Sequence, residues 1–216
     1  MQANYVQRLR LTFAKYGPTR FIGHLDLARA LERSLNRAQV PLAYTQGYNP
    51  RPRMQLAAAL PLGFTSECEI ADIWLLKEVE PGAVRQAMEA KMAPGIEIKD
   101  VTQVDLAEPA LQNRVAEAEY VAKLTGSVDR DSVRTNVAEF LAAKSVIRER
   151  RGKHYDLRPL VLSLSLVDCA RKSREVRMRL SMTPGRTGRP DEVLTALGLD
   201  PLAALIHRRQ LILADG

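Results

Sequence analysis

The sequence has few residues of the types that bind metals or form disulfides. Its 216 residues include two cysteines, Cys68 and Cys169, and three histidines. The cysteines are far apart and form no CxxC pair, so we expect two buried thiols. The histidines form neither an HxH nor an HExxH motif, so no zinc site is expected. The chain also has no CxxxCxxC motif with which to ligate an iron–sulfur cluster, and we expect neither a metal nor a cofactor in this chain.

The sequence also lacks long apolar runs and evident catalytic motifs. No stretch approaches the roughly 20 apolar residues of a membrane span, and residues 1–5 do not begin a basic and apolar leader. We therefore expect a cytoplasmic protein without membrane contact. No Ser-His-Asp, Cys-His or paired-carboxylate arrangement stands out, so the sequence gives little direct support for catalysis.

The charges are distributed in blocks along the chain. The net charge of +7 is the sum of +7 over residues 1–53, −7 over 54–143, +9 over 144–189 and −2 over 190–216. Two basic blocks separated by an acidic one predict a polyanionic partner, provided that the fold brings the basic blocks together.

The pattern of apolar residues predicts an α+β fold made of two similar halves. Alternation and helical spacing in the first half predict the order βαββαβ, with strands at 5–13, 54–60, 69–79 and 96–101 and helices at 24–39 and 83–92. The second half repeats this order less regularly, with strands at 120–125, 146–151, 160–167, 176–182 and 205–213 and helices at 131–144 and 190–197. We therefore predict two tandem ferredoxin-like units, each an antiparallel sheet covered by helices on one face. The expected boundaries are 1–106 for the first unit, 107–118 for a linker and 119–216 for the second unit.

Residues 44–53 form the strongest functional candidate. Two prolines stiffen this segment, and its two tyrosines are interleaved with two arginines. Bases that stack on aromatic rings while cations meet the phosphates are typical of single-stranded RNA binding. A rigid loop with a structural role is the alternative. The predicted RNA contacts are Tyr44, Tyr48, Asn49, Arg51 and Arg53, with Gly47 and Pro50 as structural residues.

The first predicted helix carries a second group of cations. Arg29, Arg33 and Arg37 recur at every fourth position and form a basic ridge suited to phosphates. In the first turn, the negative charge of Asp26 interacts favourably with the helix dipole, and His24 is a candidate general base or phosphate contact. A solvated helix face and a structural histidine are the alternative interpretations.

Three later segments are also rich in basic residues. Residues 184–192 are glycine-rich and lead into a helix, where Arg186 and Arg189 are candidate phosphate contacts and Asp191 supplies negative charge to the first turn. A tight turn before a helix is the alternative. Residues 148–155 predict a basic β-hairpin and residues 171–174 an exposed basic loop, neither of which implies sequence recognition.

Two long motifs resemble those of the radical SAM-linked protein family. They are YGPTRFIGHLDL at 16–27 and AYTQGYNPRPR at 43–53, and shorter matches are DLRP at 156–159 and RPDE at 189–192. This family is a bacterial domain found beside, or fused to, a B12-type radical SAM protein. The resemblance covers essentially the whole chain and implies a radical SAM partner.

The candidate phosphate contacts also include Arg20 and Arg158, which lie within these motifs. Together the observations predict an RNA-binding accessory protein that acts with a radical SAM enzyme in tRNA or rRNA modification or processing. The predicted architecture is also similar to RAMP-type endoribonucleases, in which case His24 and Tyr44 are candidate catalytic residues of metal-independent RNA cleavage. A third interpretation is an adaptor that binds the radical SAM partner and no nucleic acid. No feature of the sequence indicates an oligomeric state.

Overall fold

The chain divides into two units in the computed structural model, which describes residues 5–125, 129–168 and 174–214. Unit 1 comprises residues 5–115 together with Ala214, and unit 2 comprises Ala116–Leu213. The chain is of mixed α and β structure. Cys169 and residues 171–173 of the predicted basic loop lie outside the described residues. Within the described part of the chain, no helix is both long enough and apolar enough to cross a membrane.

Unit 1 contains four paired strands and two main helices. In chain order these are β1 (Gln7–Lys15), α1 (His24–Arg37), β2 (Met54–Leu56), β3 (Thr65–Leu75), α2 (Pro81–Glu89) and β4 (Ile96–Val104). A 3-10 helix at Gly17–Phe21 precedes α1, and the short helix α3 (Leu111–Arg114) follows β4. The strands are antiparallel and lie in the order β2–β3–β1–β4.

The alternation of apolar residues in β1 accounts for the core of unit 1. Every second side chain of β1 is buried against the matching side chains of β3 and against the apolar faces of α1 and α2. The central members of this core are Leu9, Leu11, Phe13, Leu27, Leu31, Leu35, Ile73, Leu75, Val84 and Met88. Full burial of such a side chain contributes about 1.5–3 kcal/mol. Both helices therefore cover the same face of the sheet.

The opposite face of β1 and β3 is buried around an ionic cluster. Asp72 accepts hydrogen bonds from Arg8 at 2.6 Å and from Arg10 at 2.8 Å, and the Arg8 and Asp72 side chains are at most 1% exposed. Arg10 also pairs with Glu108 at 3.0 Å, and Arg8 donates to the backbone oxygens of Glu108 and Pro109. The hydrogen bond to Asp72 raises the pKa of Arg10, and the charges of Asp72 and Glu108 add to this shift against the effect of burial. The segment around Glu108 therefore covers this face of the sheet.

The described part of unit 2 contains five sheet strands and a separate two-stranded hairpin. Its elements in chain order are β5 (Val115–Leu124), α4 (Arg130–Ala142), β6 (Ile147–Arg150), β7 (Lys153–Asp156), β8 (Val161–Asp168), β9 (Arg174–Thr183), β10 (Arg186–Thr187), α5 (Pro190–Ala196) and β11 (Ala204–Leu213). The main strands lie in the order β8–β9–β5–β11, and β9 is antiparallel to both of its neighbours. β6 and β7 pair only with each other among the described strands, and this confirms the predicted basic hairpin.

The structure places secondary structure within the predicted linker and shifts the bounds of one predicted strand. The predicted linker at 107–118 contains α3 and the first residues of β5. The strand signal was hidden there because the buried positions of β5 include Ala118 and Ala122, and alanine is a weak strand former. The strand predicted at 69–79 lies at Thr65–Leu75, because polar Ser66 and Glu69 are buried within it.

Candidate nucleic-acid interface

The loop formed by residues 44–53 is pinned at both ends by hydrogen bonds. At its base, the Arg53 amide donates to the Ala43 carbonyl at 2.7 Å. One step further in, the Thr45 amide donates to the Arg51 carbonyl at 2.8 Å, and the Arg51 amide donates to Thr45 Oγ1 at 3.1 Å. Gly47 has a φ of 153°, a backbone conformation that residues with a side chain rarely adopt. Residues 46–50 are therefore a short apex held on a fixed base.

Arg53 anchors this base rather than pointing into solvent. Its Cζ atom lies 4.6 Å from the centre of the Tyr5 ring and 5.1 Å from the centre of the Trp74 ring. Its carbonyl oxygen also accepts a hydrogen bond from the Trp74 amide at 3.2 Å. Cations over aromatic faces are attracted by the negative ring face. The predicted phosphate contact at Arg53 is thus already engaged within unit 1.

The loop presents one free ring at its apex and one free cation beside the apex. Tyr48 is 100% exposed. Asn49 and Arg51 are also exposed, and the Arg51 guanidinium has no partner among the described residues. Tyr44 is about half exposed, and its hydroxyl donates to Asn36 Oδ1 of α1 at 3.2 Å. One tyrosine ring is therefore held by α1, while the other faces solvent.

The basic ridge of α1 is only partly available to a ligand. Arg37 donates to the Lys91 carbonyl at 2.8 Å, so its guanidinium is engaged. Arg29 pairs with Asp26 at 3.3 Å, but both side chains are more than half exposed and such a pair contributes little. Arg33 is exposed and makes no ion pair or hydrogen bond through its side chain in the described part of the chain.

The ridge and the loop form one surface. Arg33 and Asn36 are three residues apart on α1 and are therefore neighbours on the helix surface. Because Asn36 holds the Tyr44 hydroxyl, Arg33 lies on the side of the helix that faces the loop. We call this the loop–helix surface and define it as Arg29, Arg33, Tyr44, Tyr48, Asn49 and Arg51.

His24 lies at the other end of α1. It is the first helical residue and is half-buried, and its Nδ1 atom is buried without a hydrogen-bond partner among the described residues. Twelve residues separate His24 from Asn36, which corresponds to about 18 Å along the helix axis. His24 and Tyr44 are therefore at opposite ends of α1 and do not form an acid–base pair. The described residues contain no group of three or more His, Cys, Asp or Glu side chains placed to hold a metal ion.

Arg20 lies next to a set of exposed apolar side chains. Its Cζ atom is 4.6 Å from the centre of the Phe21 ring, and its carbonyl accepts a hydrogen bond from the Gly63 amide at 2.8 Å. Phe21, Leu25 and Leu62 are each more than 60% exposed. We call these three residues the apolar patch.

The DLRP motif has a structural role. Asp156 Oδ1 accepts hydrogen bonds from the amides of Val146 at 2.8 Å and Arg158 at 3.0 Å, which closes the base of the β6–β7 hairpin. The Arg158 guanidinium donates to the carbonyls of Val161 and Leu141 at 3.0 and 3.1 Å. Arg158, a predicted phosphate contact, is thus engaged within unit 2.

The glycine-rich segment before α5 serves packing more than ligand binding. A Cβ atom at Gly188 would lie 2.9 Å from the Leu160 carbonyl oxygen, so no other residue fits without movement. Arg189 forms a two-point ion pair with Asp191 at 2.6 and 3.0 Å, and this hydrogen bonding raises the pKa of Arg189. Arg186 is exposed, with no partner for its guanidinium among the described residues. Only Arg186 of these two arginines is free to meet a phosphate.

Three residues that shape the interface were missed at the sequence level. Asn36 lies seven residues after Arg29 and three after Arg33, so its position on the basic ridge was available from helical spacing alone. Tyr5 and Trp74 were assigned to strands, and their stacking on Arg53 depends on contacts between distant parts of the chain. The one signal for them was that Trp74 is the single tryptophan.

The fold is shared with part of a larger solved protein. Over 96% of its length the chain matches 50% of a chain in a structure described as "Crystal Structure of a Cbf5-Nop10-Gar1 Complex", at 12% identity and a TM-score of 0.52. Two further structures are described as an archaeal box H/ACA sRNP Nop10-Cbf5 complex (13% identity, 96% and 49% covered, TM-score 0.48) and an H/ACA RNP bound to a substrate RNA containing 2'-deoxyuridine (13% identity, 97% and 48% covered, TM-score 0.47). The chain spans about half the length of these solved chains.

The sequence assigns the chain to a family. Residues 8–190 match the family described as "Uncharacterized protein conserved in bacteria (DUF2344)", and the chain belongs to this family. No curated protein matches the sequence.

Proposed function

We propose that this chain is a cytoplasmic RNA-binding accessory protein that acts with a radical SAM enzyme in the modification or processing of tRNA or rRNA. The observation that carries the RNA-binding part of this proposal is the pinned loop, where fully exposed Tyr48 at the apex stands close in sequence to Arg51, whose guanidinium has no partner among the described residues. The proposed action with a radical SAM enzyme is supported by the motifs at 16–27 and 43–53, which resemble those of the radical SAM-linked protein family. The likeness to a chain of the Cbf5-Nop10-Gar1 complex concerns the fold alone.

The loop–helix surface has the chemistry that single-stranded RNA requires. A base that stacks on an exposed aromatic side chain gains about 1–3 kcal/mol, whatever the sequence of the RNA. Arg33 and Arg51 are available for phosphates, whereas Arg37 and Arg53 hold the helix and the loop in place. Because the base of the loop is fixed before binding, less conformational entropy is lost when RNA binds.

We also propose that each unit is a ferredoxin-like βαββαβ module, with boundaries near 1–106 and 119–216. The strand orders β2–β3–β1–β4 and β8–β9–β5–β11 support this proposal, since each places the first strand of its unit between the third and the fourth. The endoribonuclease interpretation has less support, because His24 and Tyr44 lie at opposite ends of α1.

The RNA-binding proposal is tested by binding of a fluorescently labelled single-stranded RNA of mixed sequence, measured by anisotropy. We expect Tyr48→Ala to weaken binding about tenfold because it removes a stacking platform, and Tyr48→Phe to retain affinity because it keeps the ring. Arg85→Ala is the control for an exposed substitution elsewhere in unit 1, since α2 packs on β4 at the edge of the sheet away from the loop. Equal affinities of the wild type and Tyr48→Ala, or no RNA binding at all, would refute the proposal.

A second candidate function, docking of the radical SAM partner, is favoured by the apolar patch. The hydrogen bond from the Gly63 amide to the Arg20 carbonyl brings the segment of Leu62 to that of Phe21. Large exposed apolar side chains on neighbouring segments are typical of protein–protein contact sites. In a co-purification with a B12-type radical SAM protein as the proposed partner, we expect Phe21→Ser with Leu25→Ser to release the partner and Tyr48→Ala to retain it. If the partner is retained by both variants, the apolar patch is not its docking site.

A further inference from the structure

One face of the unit 2 sheet is polar and carries a cavity. Along β9 the side chains of Val176, Met178 and Leu180 are buried, so Arg177 and Arg179 between them point to the other face. The cavity on that face has a volume of about 180 Å³, and its polar lining comes from four strands: Ser163, Ser165, Arg177, Arg179, Glu119 and Arg209.

The strand register arranges these side chains in two rows. Ser163 of β8 pairs with Arg179 of β9, which in turn pairs with Glu119 of β5. In the next row on the same face, Ser165 pairs with Arg177. Each row therefore sets a hydroxyl beside a guanidinium, and both groups donate hydrogen bonds to an anionic oxygen.

Neighbouring carboxylates hold the two guanidinium groups in place. Arg177 donates through Nε and one terminal nitrogen to Glu175 at 3.4 and 3.2 Å, and Arg179 donates through Nε to Glu117. Within the described part of the chain, the second terminal nitrogen of Arg177 and both terminal nitrogens of Arg179 make no hydrogen bond. These side chains are still 47% and 43% exposed. The free edges of two oriented guanidiniums are thus available to a ligand.

The charge and size of the cavity define the class of ligand. Three arginines and one glutamate line it, and the carboxylates of Glu175 and Glu117 offset two of these cations. The preference for an anionic ligand therefore comes from the free guanidinium N–H groups, which form charge-assisted hydrogen bonds with anionic oxygens, and not from net charge. The volume corresponds to about six water molecules, which leaves room for more than a phosphate group. The single carboxylate, Glu119, is an acceptor for the hydroxyl groups of a sugar.

We propose that this cavity binds a ribose phosphate, the repeating group of RNA and a part of every nucleotide. Arg177, Arg179 and Arg209 meet the phosphate oxygens together with the hydroxyls of Ser163 and Ser165, and Glu119 accepts a hydrogen bond from a ribose hydroxyl. Where the ribose phosphate belongs to an RNA strand, the inference rests on the proposed function. Where it belongs to a free nucleotide, the inference is independent of that function.

The test is calorimetric titration of the full chain with AMP, with adenosine and with inorganic phosphate. We expect AMP to bind, adenosine not to bind, and inorganic phosphate to bind more weakly than AMP because it cannot reach Glu119. Arg177→Ala with Arg179→Ala should weaken AMP binding at least tenfold. Arg134→Ala is the matched control, because it removes an exposed cation from α4. Ser163→Ala with Ser165→Ala is a milder second test, since both hydroxyls are exposed and their loss does not threaten folding.

Binding of labelled single-stranded RNA shows whether the ribose phosphate belongs to an RNA strand or to a free nucleotide. If the double arginine variant weakens both AMP and RNA, the cavity takes the ribose phosphates of RNA, and if it weakens AMP alone, the cavity takes a free nucleotide. The inference is overturned if AMP does not bind, if Arg134→Ala weakens AMP as much as the double variant, or if adenosine binds as well as AMP. Failure of the proposed function is a separate result, namely RNA affinity that does not depend on Tyr48.

Discussion

At the scale of single residues, Arg51 and Arg53 show how two arginines of one motif take different roles. Both were predicted to bind phosphates. The structure leaves the Arg51 guanidinium without a partner among the described residues, whereas Arg53 stacks on Tyr5 and Trp74. Sequence spacing could not separate them, because Tyr5 and Trp74 approach Arg53 only through tertiary folding.

We expect Arg53 to contribute to the stability of the fold and Arg51 to contribute to RNA binding and not to stability. Arg53→Ala should lower the free energy of unfolding by about 1–2 kcal/mol, because it removes a cation that two rings share. Arg51→Ala should leave stability within about 0.5 kcal/mol of the wild type. Urea unfolding followed by tryptophan fluorescence measures both, and equal loss of stability in the two variants would contradict the assigned roles.

Arg8, Arg10 and Asp72 form a second residue-scale feature that the sequence pattern concealed. The alternation of β1 placed both arginines on the face away from the apolar core, but it did not indicate that this face is also buried. Asp72 is 0% exposed and accepts hydrogen bonds from both arginines. A carboxylate in this position is the common partner of two cations.

Removing that partner should be costly. We expect Asp72→Ala to reduce the free energy of unfolding by about 3–5 kcal/mol, because it leaves buried Arg8 and largely buried Arg10 without compensation. The control is Asp100→Ala, an exposed carboxylate of β4, for which we expect a change within about 0.5 kcal/mol. Denaturant unfolding measures both, and similar values would show that the ionic cluster does not stabilise unit 1.

At the scale of elements, the turn after β7 depends on one carboxylate. The amide of Val146 donates to Asp156 Oδ1 and is the main cause of the lowered pKa of this carboxyl, and the amide of Arg158 adds to the effect against the opposing influence of burial. The DLRP motif, identified through a family resemblance, thus has a local physical explanation that does not involve a ligand.

The lowered pKa of Asp156 predicts a pH dependence. Because the pKa is lower in the folded than in the unfolded state, the carboxylate stabilises the fold above the unfolded value of about 3.9 and loses this effect as the pH falls through the folded value. Asp156→Asn should therefore be less stable than the wild type at pH 7, and the difference should shrink as the pH falls below about 4. The check is the urea midpoint of both proteins across this range, where a constant difference would contradict the prediction.

The elements themselves were largely predictable, because their signals are local. The core contains the residues that carried these signals. They are Leu27, Leu31 and Leu35, which recur at helical spacing, and Leu9, Leu11 and Phe13, which alternate along β1. The start of β5 was not predictable in this way, because Ala118 gives a weak strand signal although it is fully buried. The loop–helix surface was predicted in composition, but which of its cations remain free depends on partners such as Lys91 that are distant in the sequence.

At the scale of the whole molecule, the net charge of +7 favours polyanions, but many of the arginines are already engaged. Arg8, Arg10, Arg37, Arg53, Arg158 and Arg189 all contact other groups of the chain. The effective charge offered to a ligand is therefore carried by fewer residues than the composition suggests. That the basic blocks at 1–53 and 144–189 act on a common partner stays a prediction.

We expect the salt dependence of RNA binding to reflect the number of arginines that remain available for phosphates. For single strands the slope of log K against log salt concentration changes by about 0.7 for each phosphate contact. Arg33→Ala combined with Arg51→Ala should therefore make the slope shallower by about 1.4, whereas Arg85→Ala should leave it unchanged. Anisotropy titrations at several salt concentrations provide the slopes, and an unaltered slope in the double variant would exclude both arginines as phosphate contacts.

The fixed base of the loop at 44–53 has a consequence for how this protein diversifies. The five apex positions, 46–50, are flanked by hydrogen bonds and ring stacking that do not use their side chains. Substitutions at most of these positions therefore leave the scaffold intact, and new ligand preferences are able to arise at the tip without a compensating change in the core.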